Sequence, residues 1–196
     1  MVLAREEANQ PSSSRIKENT IWCKIWKLNI PSMIKHFLWR ALINSLPTKM
    51  NLKKRGVQVW EVCDRCGADK EDTNHILWFC PSARIVWESS PVWSLVCKSQ
   101  HQNFEEVTNF IFQLDQPELQ ELFVILAWSL WFCRNKIRMN ELDKVPHDVV
   151  SWANNFRLEF QSTKEGMKAA RPKENLKWVP PPQGWFKANV DGAIFK

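Results

Sequence analysis

Four metal-binding side chains fall within the short stretch CDRCGADKEDTNHILWFC, which runs from Cys63 to Cys80. Two residues separate Cys63 from Cys66, His75 follows after eight more, and Cys80 after a further four. Two residues between cysteines let both sulfurs face one point, and Gly67 permits the tight backbone that follows. Three sulfurs and one imidazole make a complete tetrahedral shell for Zn²⁺, the ion that thiolate and imidazole donors favour together. A full shell leaves no position for a reacting water, so the site reads as structural, not catalytic. In zinc-finger peptides such binding contributes on the order of 10–16 kcal/mol to local folding.

This reading needs reduced thiols. The first twenty residues carry Arg5, Glu6, Glu7 and a polar PSSS run, with no apolar segment of a secretory signal. The most apolar run, Leu122 to Cys133, is too short to span a bilayer and is flanked by Glu118, Glu121, Arg134, Lys136 and Arg138. The expectation is an intracellular chain, nuclear or cytoplasmic, neither secreted nor membrane-bound, with free thiols. A CxxC redox pair is the competing reading, but the strand–helix context of such a pair is missing around Cys63. Cys97 and His101 stand four apart and would clasp a metal only if helical and joined by two further ligands. Cys23 and Cys133, set among Trp and Phe, read as core thiols. His36 and His147 read as surface or cap residues.

Hydrophobic periodicity makes the body mainly α. Ile21, Trp22, Ile25, Trp26 and Leu28 recur at helical spacing before Pro31. Ser32 is placed to cap a second helix, whose buried stripe is Ile34, Phe37, Leu38, Ala41 and Leu42. Pro47 breaks it. Thr48 is placed to cap a short third helix reaching Arg55, with Gly56 at the position after its end. Asp72 or Thr73 is placed to cap a short helix carrying His75. Pro81 excludes Cys80 from the helical region, so that Cys80 turns back from the helix end. Ile76, Leu77 and Phe79 offer an apolar wall. Further helices are expected over Pro81–Ser90, over Phe104–Leu114, from Pro117 to about Asn140, and from Pro146 along the stripe Val149, Trp152, Ala153, Phe156 and Phe160. The twelve tryptophans and the absence of tyrosine put aromatic bulk in this core, each buried indole N–H needing an acceptor. From Gln161 the composition turns to Lys and Glu, then to the prolines of residues 180–182, which favour an extended linker.

The organisation that follows is a disordered tail over 1–19, a small zinc-stapled helical domain over 20–90, a helical extension over 91–168, a Pro-rich linker over 169–184 and one orphan β-strand over 185–196. In that last segment Phe186, Ala188 and Val190 alternate with Lys187, Asn189 and Asp191.

The net charge is +6, and its distribution is uneven. Between Glu18 and Glu61 there is no Asp or Glu, while Lys24, Lys27, Lys35, Arg40, Lys49, Lys53, Lys54 and Arg55 occupy the same window. One-sided charge attracts polyanions such as RNA or DNA. Lys35, Arg40, Lys49, Lys53, Lys54, Arg55 and Arg65 are the candidate phosphate contacts, and Trp39 or Trp60, where exposed, could stack on bases. The alternative reading is a zinc-stapled scaffold whose tryptophans and basic rim meet a protein partner.

The run Ile25-Trp26, Ile30-Pro31, Ile34 to Arg40 (IKHFLWR), Leu46-Pro47-Thr48, Leu52 and Arg55-Gly56, followed by the Cys/His set and Trp87, resembles the zinc-binding domain on the C-terminal side of plant LINE-type retrotransposon reverse transcriptases. The resemblance covers roughly residues 20–90. Ser32 and Met33 depart from the family's usual proline and lysine, which trims the basic patch and leaves the zinc ligands intact. Trp128 to Lys136 (WSLWFCRNK) is similar to a helix that follows in such proteins. Trp178 to Ala193 (WVPPPQGWFKANVDGA) resembles the opening of a plant ribonuclease H-like domain. That resemblance makes Asp191 the first carboxylate for catalytic Mg²⁺, an ion expected only in a complete domain. It implies a fragment of a larger polymerase and ribonuclease H protein, with no catalytic residue complete in this chain.

Overall fold

Pro31 sets the first corner of the molecule. In a computed structural model, residues 21–141, 148–170 (side chains to 164) and 179–186 are described. Residues 21–27 form α1, which Pro31 separates from α2 (Ser32–Leu42). Pro31 itself takes the cap position with an extended backbone, and no side chain caps α2, so Ser32 is helical and not the cap expected of it. The predicted stripe is buried at Ile34, Phe37, Leu38 and Ala41, with Leu42 packed at its edge. Asn44 then adopts a left-handed backbone, φ 50°, which turns the chain toward α3 (Lys49–Lys54). Asn51 holds this corner by donating from Nδ2 to the Asn44 and Leu46 carbonyls, each at 2.9 Å. Thr48 caps α3 as expected, its hydroxyl accepting from the Asn51 N–H at 3.3 Å, and Gly56 closes it with φ 82°.

After the Cys/His segment come α4 (Pro81–Glu88), α5 (Trp93–Val96), α6 (Phe104–Gln113), α7 (Pro117–Arg138) and α8 (Val149–Ala170). Pro81 and Pro117 occupy the first turns of α4 and α7, where a missing N–H costs nothing. Asn103 caps α6 by accepting from the Glu106 N–H at 2.8 Å. The only β-pairing among the described residues is one antiparallel bridge, Val62 with Lys70. The fold is mainly α, as the periodicity requires.

α7 is the central wall. Leu122 to Ala127 are all buried, so this helix is apolar around most of its circumference. No described helix is long and apolar enough to cross a membrane. α2, α6 and α8 pack against α7, as does the turn that carries His75. Trp87 is fully buried and stacks on Phe123 of α7 at 5.2 Å, and Phe104 also stacks on Phe123, at 5.6 Å. The Trp87 indole N–H donates to the Leu77 carbonyl at 2.8 Å, which meets the expected need for an acceptor. One cluster of buried apolar side chains runs from Ile25 to Ala153, so the residues around the Cys/His set and the helices after them share a core.

Several expectations are corrected. Cys23 is exposed, while Cys133 is buried as a core thiol should be. On α8, Val149 and Ala153 are buried, but Trp152 lies at the rim, 46% exposed, stacked on Trp128 and Phe156. α8 also continues past the change of composition at Gln161 and takes in residues 169 and 170 from the expected linker. Residues 179–184 have no helix or strand. The N-terminal tail, Pro146, His147, most of the linker and the expected strand from Lys187 onward, Asp191 included, lie outside the described residues.

A buried ion pair joins α7 to the Cys/His segment. Arg134 on α7, 3% exposed, meets the fully buried Glu71, whose same oxygen accepts from the Lys49 N–H at 3.0 Å. The Arg134 guanidinium also sits over the Trp131 ring at 4.8 Å. Removing one partner of a buried pair strands the other charge, at about 3–5 kcal/mol. Glu71→Ala and Arg134→Met are each expected to destabilise the chain on that scale. The double variant is expected to lose clearly less than the sum, as read by denaturant unfolding of the four-member cycle.

Candidate metal centre

The Cys/His segment builds its site from three local devices. The first is a turn. The Gly67 N–H donates to the Cys63 carbonyl at 2.9 Å, and Gly67 takes φ 68°, which brings Cys63 and Cys66 onto one side. The Cys63 N–H donates to the Asp69 carbonyl at 2.8 Å, and the Val62–Lys70 bridge closes the base.

The second device carries His75. Asp72 is the cap, its carboxylate accepting from the His75 N–H at 2.7 Å. Residues His75–Phe79 form a π-helical turn in which the Cys80 N–H donates to the His75 carbonyl at 2.6 Å. An α-helix cannot align residues five apart on one face, whereas a turn closed by an i to i+5 bond brings them together. The wider turn was not visible in the apolar spacing, which reads equally well as a short α-helix.

The third device is Cys80 itself, extended at ψ 128° ahead of Pro81 and fully buried. Ile76 and Leu77 wall the site as expected, but Phe79 points outward, 47% exposed.

The result is a tight donor set. One ligand atom from each of Cys63, Cys66, His75 and Cys80 lies within 4.8 Å of every other. His75 presents Nε2, at 3.3 Å from the Cys66 sulfur, and its Nδ1 lies 3.8 Å from the Asp69 carboxylate. Zinc–sulfur bonds of about 2.3 Å imply donor separations of roughly 3.8 Å, so a tetrahedral ion fits this spacing. Asp69 is on the side where a ligating histidine commonly meets a carboxylate.

The electrostatics fit a thiolate-rich centre. The Arg65 guanidinium is mostly buried, and its Nε, Nη1 and Nη2 have no hydrogen-bond partner among the described residues. Burial pushes its pKa down, while Cys80, Cys63, Cys133 and Cys66 push it up. A divalent ion with three thiolates and a neutral imidazole carries one net negative charge, which a buried guanidinium offsets. Without metal, the cluster shares protons. Hydrogen bonding to Cys80 and burial push the Cys63 thiol up to about 11, and Cys63 in turn pulls Cys80 down to about 7. Hydrogen bonding to Cys63 lifts His75 to about 9.

The other candidates separate by position. Lys49 is buried, its ammonium held by the Val62 carbonyl at 2.7 Å and by Asp64. Lys49 and Arg65 are therefore turned inward and do not face a polyanion, contrary to their expected role as phosphate contacts. Lys35 is half-buried and donates to the Trp26 carbonyl at 2.9 Å, with burial and Lys164 lowering its pKa. Arg40 is exposed and donates to the Ser45 carbonyl, in the turn after α2, at 3.1 Å. Lys53, Lys54 and Arg55 are exposed at the end of α3. Lys53 and Lys70 both pair with Glu61; Lys70 is not among the expected contacts, and its place beside Lys53 depends on the Val62–Lys70 bridge. Cys97 falls just past α5, so it shares no helix face with His101, which packs on Phe110.

Residues 7–87 match the family model described as zinc-binding in reverse transcriptase. A protein of Arabidopsis thaliana named as a ribonuclease H protein is 27% identical over 183 residues, which cover 86% of this chain and 28% of the relative. The chain thus spans little more than a quarter of that relative's length. No solved structure matches the chain. All four clustered ligands lie within the matched span, and there the chain resembles the zinc-binding domain family of reverse transcriptases.

Proposed function

We propose that this chain is a non-catalytic zinc module of a retrotransposon-derived, LINE-type plant reverse transcriptase, one that contacts nucleic acid through the basic surface at the end of α3. The observation that carries the reading is the closed donor set Cys63, Cys66, His75 and Cys80, inside the span that matches the family. In this reading zinc supplies rigidity. Its four ligands leave no open position for chemistry. The working contacts are Lys53, Lys54 and Arg55, with Arg40 and Lys35 at the margin. The zinc-stapled protein scaffold remains the second reading, favoured by apolar side chains outside the core such as Met139 and Leu158, 68% and 49% exposed.

The larger setting in this reading is a polymerase and ribonuclease H protein; the relative's name supports its ribonuclease H part, as does the resemblance of residues 178–193. Two-metal hydrolysis needs several carboxylates around both ions, and residues 185–196 offer Asp191 alone. The 196-residue chain is expected not to cleave an RNA–DNA hybrid in Mg²⁺. Cleavage that disappears in Asp191→Asn overturns this.

Native mass spectrometry of the purified chain is expected to find one zinc per molecule, and the double variant Cys63→Ser, Cys66→Ser to lose both the metal and cooperative unfolding. Zinc must displace the protons held by Cys63, near 11, and His75, near 9, so metal affinity rises with pH between about 7 and about 9. Chelator competition across that range checks the sign.

Nucleic-acid binding by this surface depends on salt, because each neutralised phosphate releases counterions. Reversing Lys53, Lys54 and Arg55 to Glu is expected to weaken binding and to flatten the slope of log K against log salt by about 2 to 3. Retention of RNA and DNA unchanged by that triple variant favours the protein-partner reading.

A further inference from the structure

Trp60 is 88% exposed, between α3 and the Cys63 turn. Its neighbours fix the backbone beneath it. The Glu61 carbonyl accepts from the Glu71 N–H at 2.8 Å, and the Glu61 carboxylate is gripped by Lys53 and by Lys70, the latter at 3.0 Å. An indole on such a base is presented to solvent by the fold and is not a product of a loose loop.

Most of the other described tryptophans have company; Trp39 and Trp185, 39% and 74% exposed, have no aromatic partner among the described residues but lie away from the Glu61 pairs along the chain. Trp87 and Trp131 are buried, and Trp22, Trp78, Trp93 and Trp128 pack against the core. Trp26 meets His36 edge-on at 5.0 Å, and Trp152 stacks within α8 and on α7. Trp60 has no aromatic partner among the described residues.

Cations lie close along the chain: Lys53 and Lys70 reach the Glu61 carboxylate next to Trp60, Lys54 and Arg55 follow Lys53 at the end of α3, and Val57 and Val62 are 46% and 40% exposed. An exposed flat π-face on a segment tied to cations suits unpaired bases with their phosphates. A duplex hides its base faces in its own stack and offers such a ring nothing but groove and backbone.

We propose that Trp60 is a stacking platform that makes this surface prefer single-stranded over double-stranded nucleic acid. This rests on the basic-surface reading above and adds to it the class of ligand. Lys53, Lys54 and Arg55 hold the backbone without regard to strand number, while Trp60 takes up a base that pairing does not occupy.

The test uses fluorescence anisotropy of the zinc-loaded full chain. The probes are a labelled strand of mixed sequence, as RNA and as DNA, and the duplex formed from each. The wild type is expected to bind the single strands more tightly. Trp60→Ala is expected to lose about 5- to 150-fold on single strands, with duplex binding and salt slope nearly unchanged. Trp60→Phe is expected to recover most of the loss. An exposed ring can be removed without unfolding the chain, and zinc content with circular dichroism checks this for each variant. The RNA and DNA arms show which unpaired strand is preferred. Equal affinity of Trp60→Ala and wild type for single strands, or an equal loss on duplex, overturns the platform. If the triple charge reversal abolishes binding while Trp60→Ala does not weaken it, the platform alone fails. If the wild type binds neither form of either nucleic acid, both readings fail and a protein partner takes their place.

Discussion

Convergence of Cys63, Cys66, His75 and Cys80 on one point is the constraint on which the surrounding structure depends. Between Gly56 and Asp72 the regular pairing among the described residues is a single bridge. Ordering a backbone costs about 1–2 kcal/mol per residue, and one bridge with a few turn hydrogen bonds does not offset that over such a stretch. A four-point crosslink through a bound ion would. The ligands reach the centre by three different means: a left-handed glycine turn for Cys63 and Cys66, an Asp72-capped π turn for His75 and an extended backbone before proline for Cys80. The π turn serves this convergence, because its i to i+5 bond brings His75 and Cys80 to one side.

The effect of the centre extends to its neighbours through Glu71. Its backbone carbonyl accepts from the Met50 N–H at 3.1 Å, and its carboxylate joins Lys49 on α3 to Arg134 on α7. Thr73 adds a bond to Asn44 at the α2–α3 corner, at 2.9 Å. α3 is therefore positioned less by its own six residues than by the segment the metal would fix, and the basic end of α3 inherits that orientation. An ion bound there would act in this way on surface chemistry it never touches.

Much of this was legible in the sequence because it depends on local signals. Helix positions follow from apolar periodicity, the start of α3 from Thr48, the starts of α4 and α7 from Pro81 and Pro117, and the ligand set from its spacing. The failures have a common physical origin in tertiary context. Ser32 has the right chemistry for a cap, but Pro31 already takes the cap position. Cys23 shares the aromatic neighbourhood of Trp22 and Trp26 along the chain, yet a helix sends adjacent residues in different directions, and Cys23 faces water. The π turn was hidden because His-Ile-Leu-Trp-Phe satisfies an α pattern equally well.

Charge was the least legible property of all. The acid-free window up to residue 60 treats Lys49 and Lys54 alike, since counting residues registers sign and ignores surroundings. The fold divides them. Lys49 lies at the buried start of α3, where Asp64, from beyond the window, takes up its charge. Lys54 lies one turn and more further on, at an exposed end. Arg65 was counted as a cation for phosphate, and burial beside four thiols gives it instead the character of an internal counter-ion. A basic window thus sets an upper limit on the cations offered to a polyanion. What survives the fold is a smaller and more localised set at the end of α3, next to an indole that the core did not take.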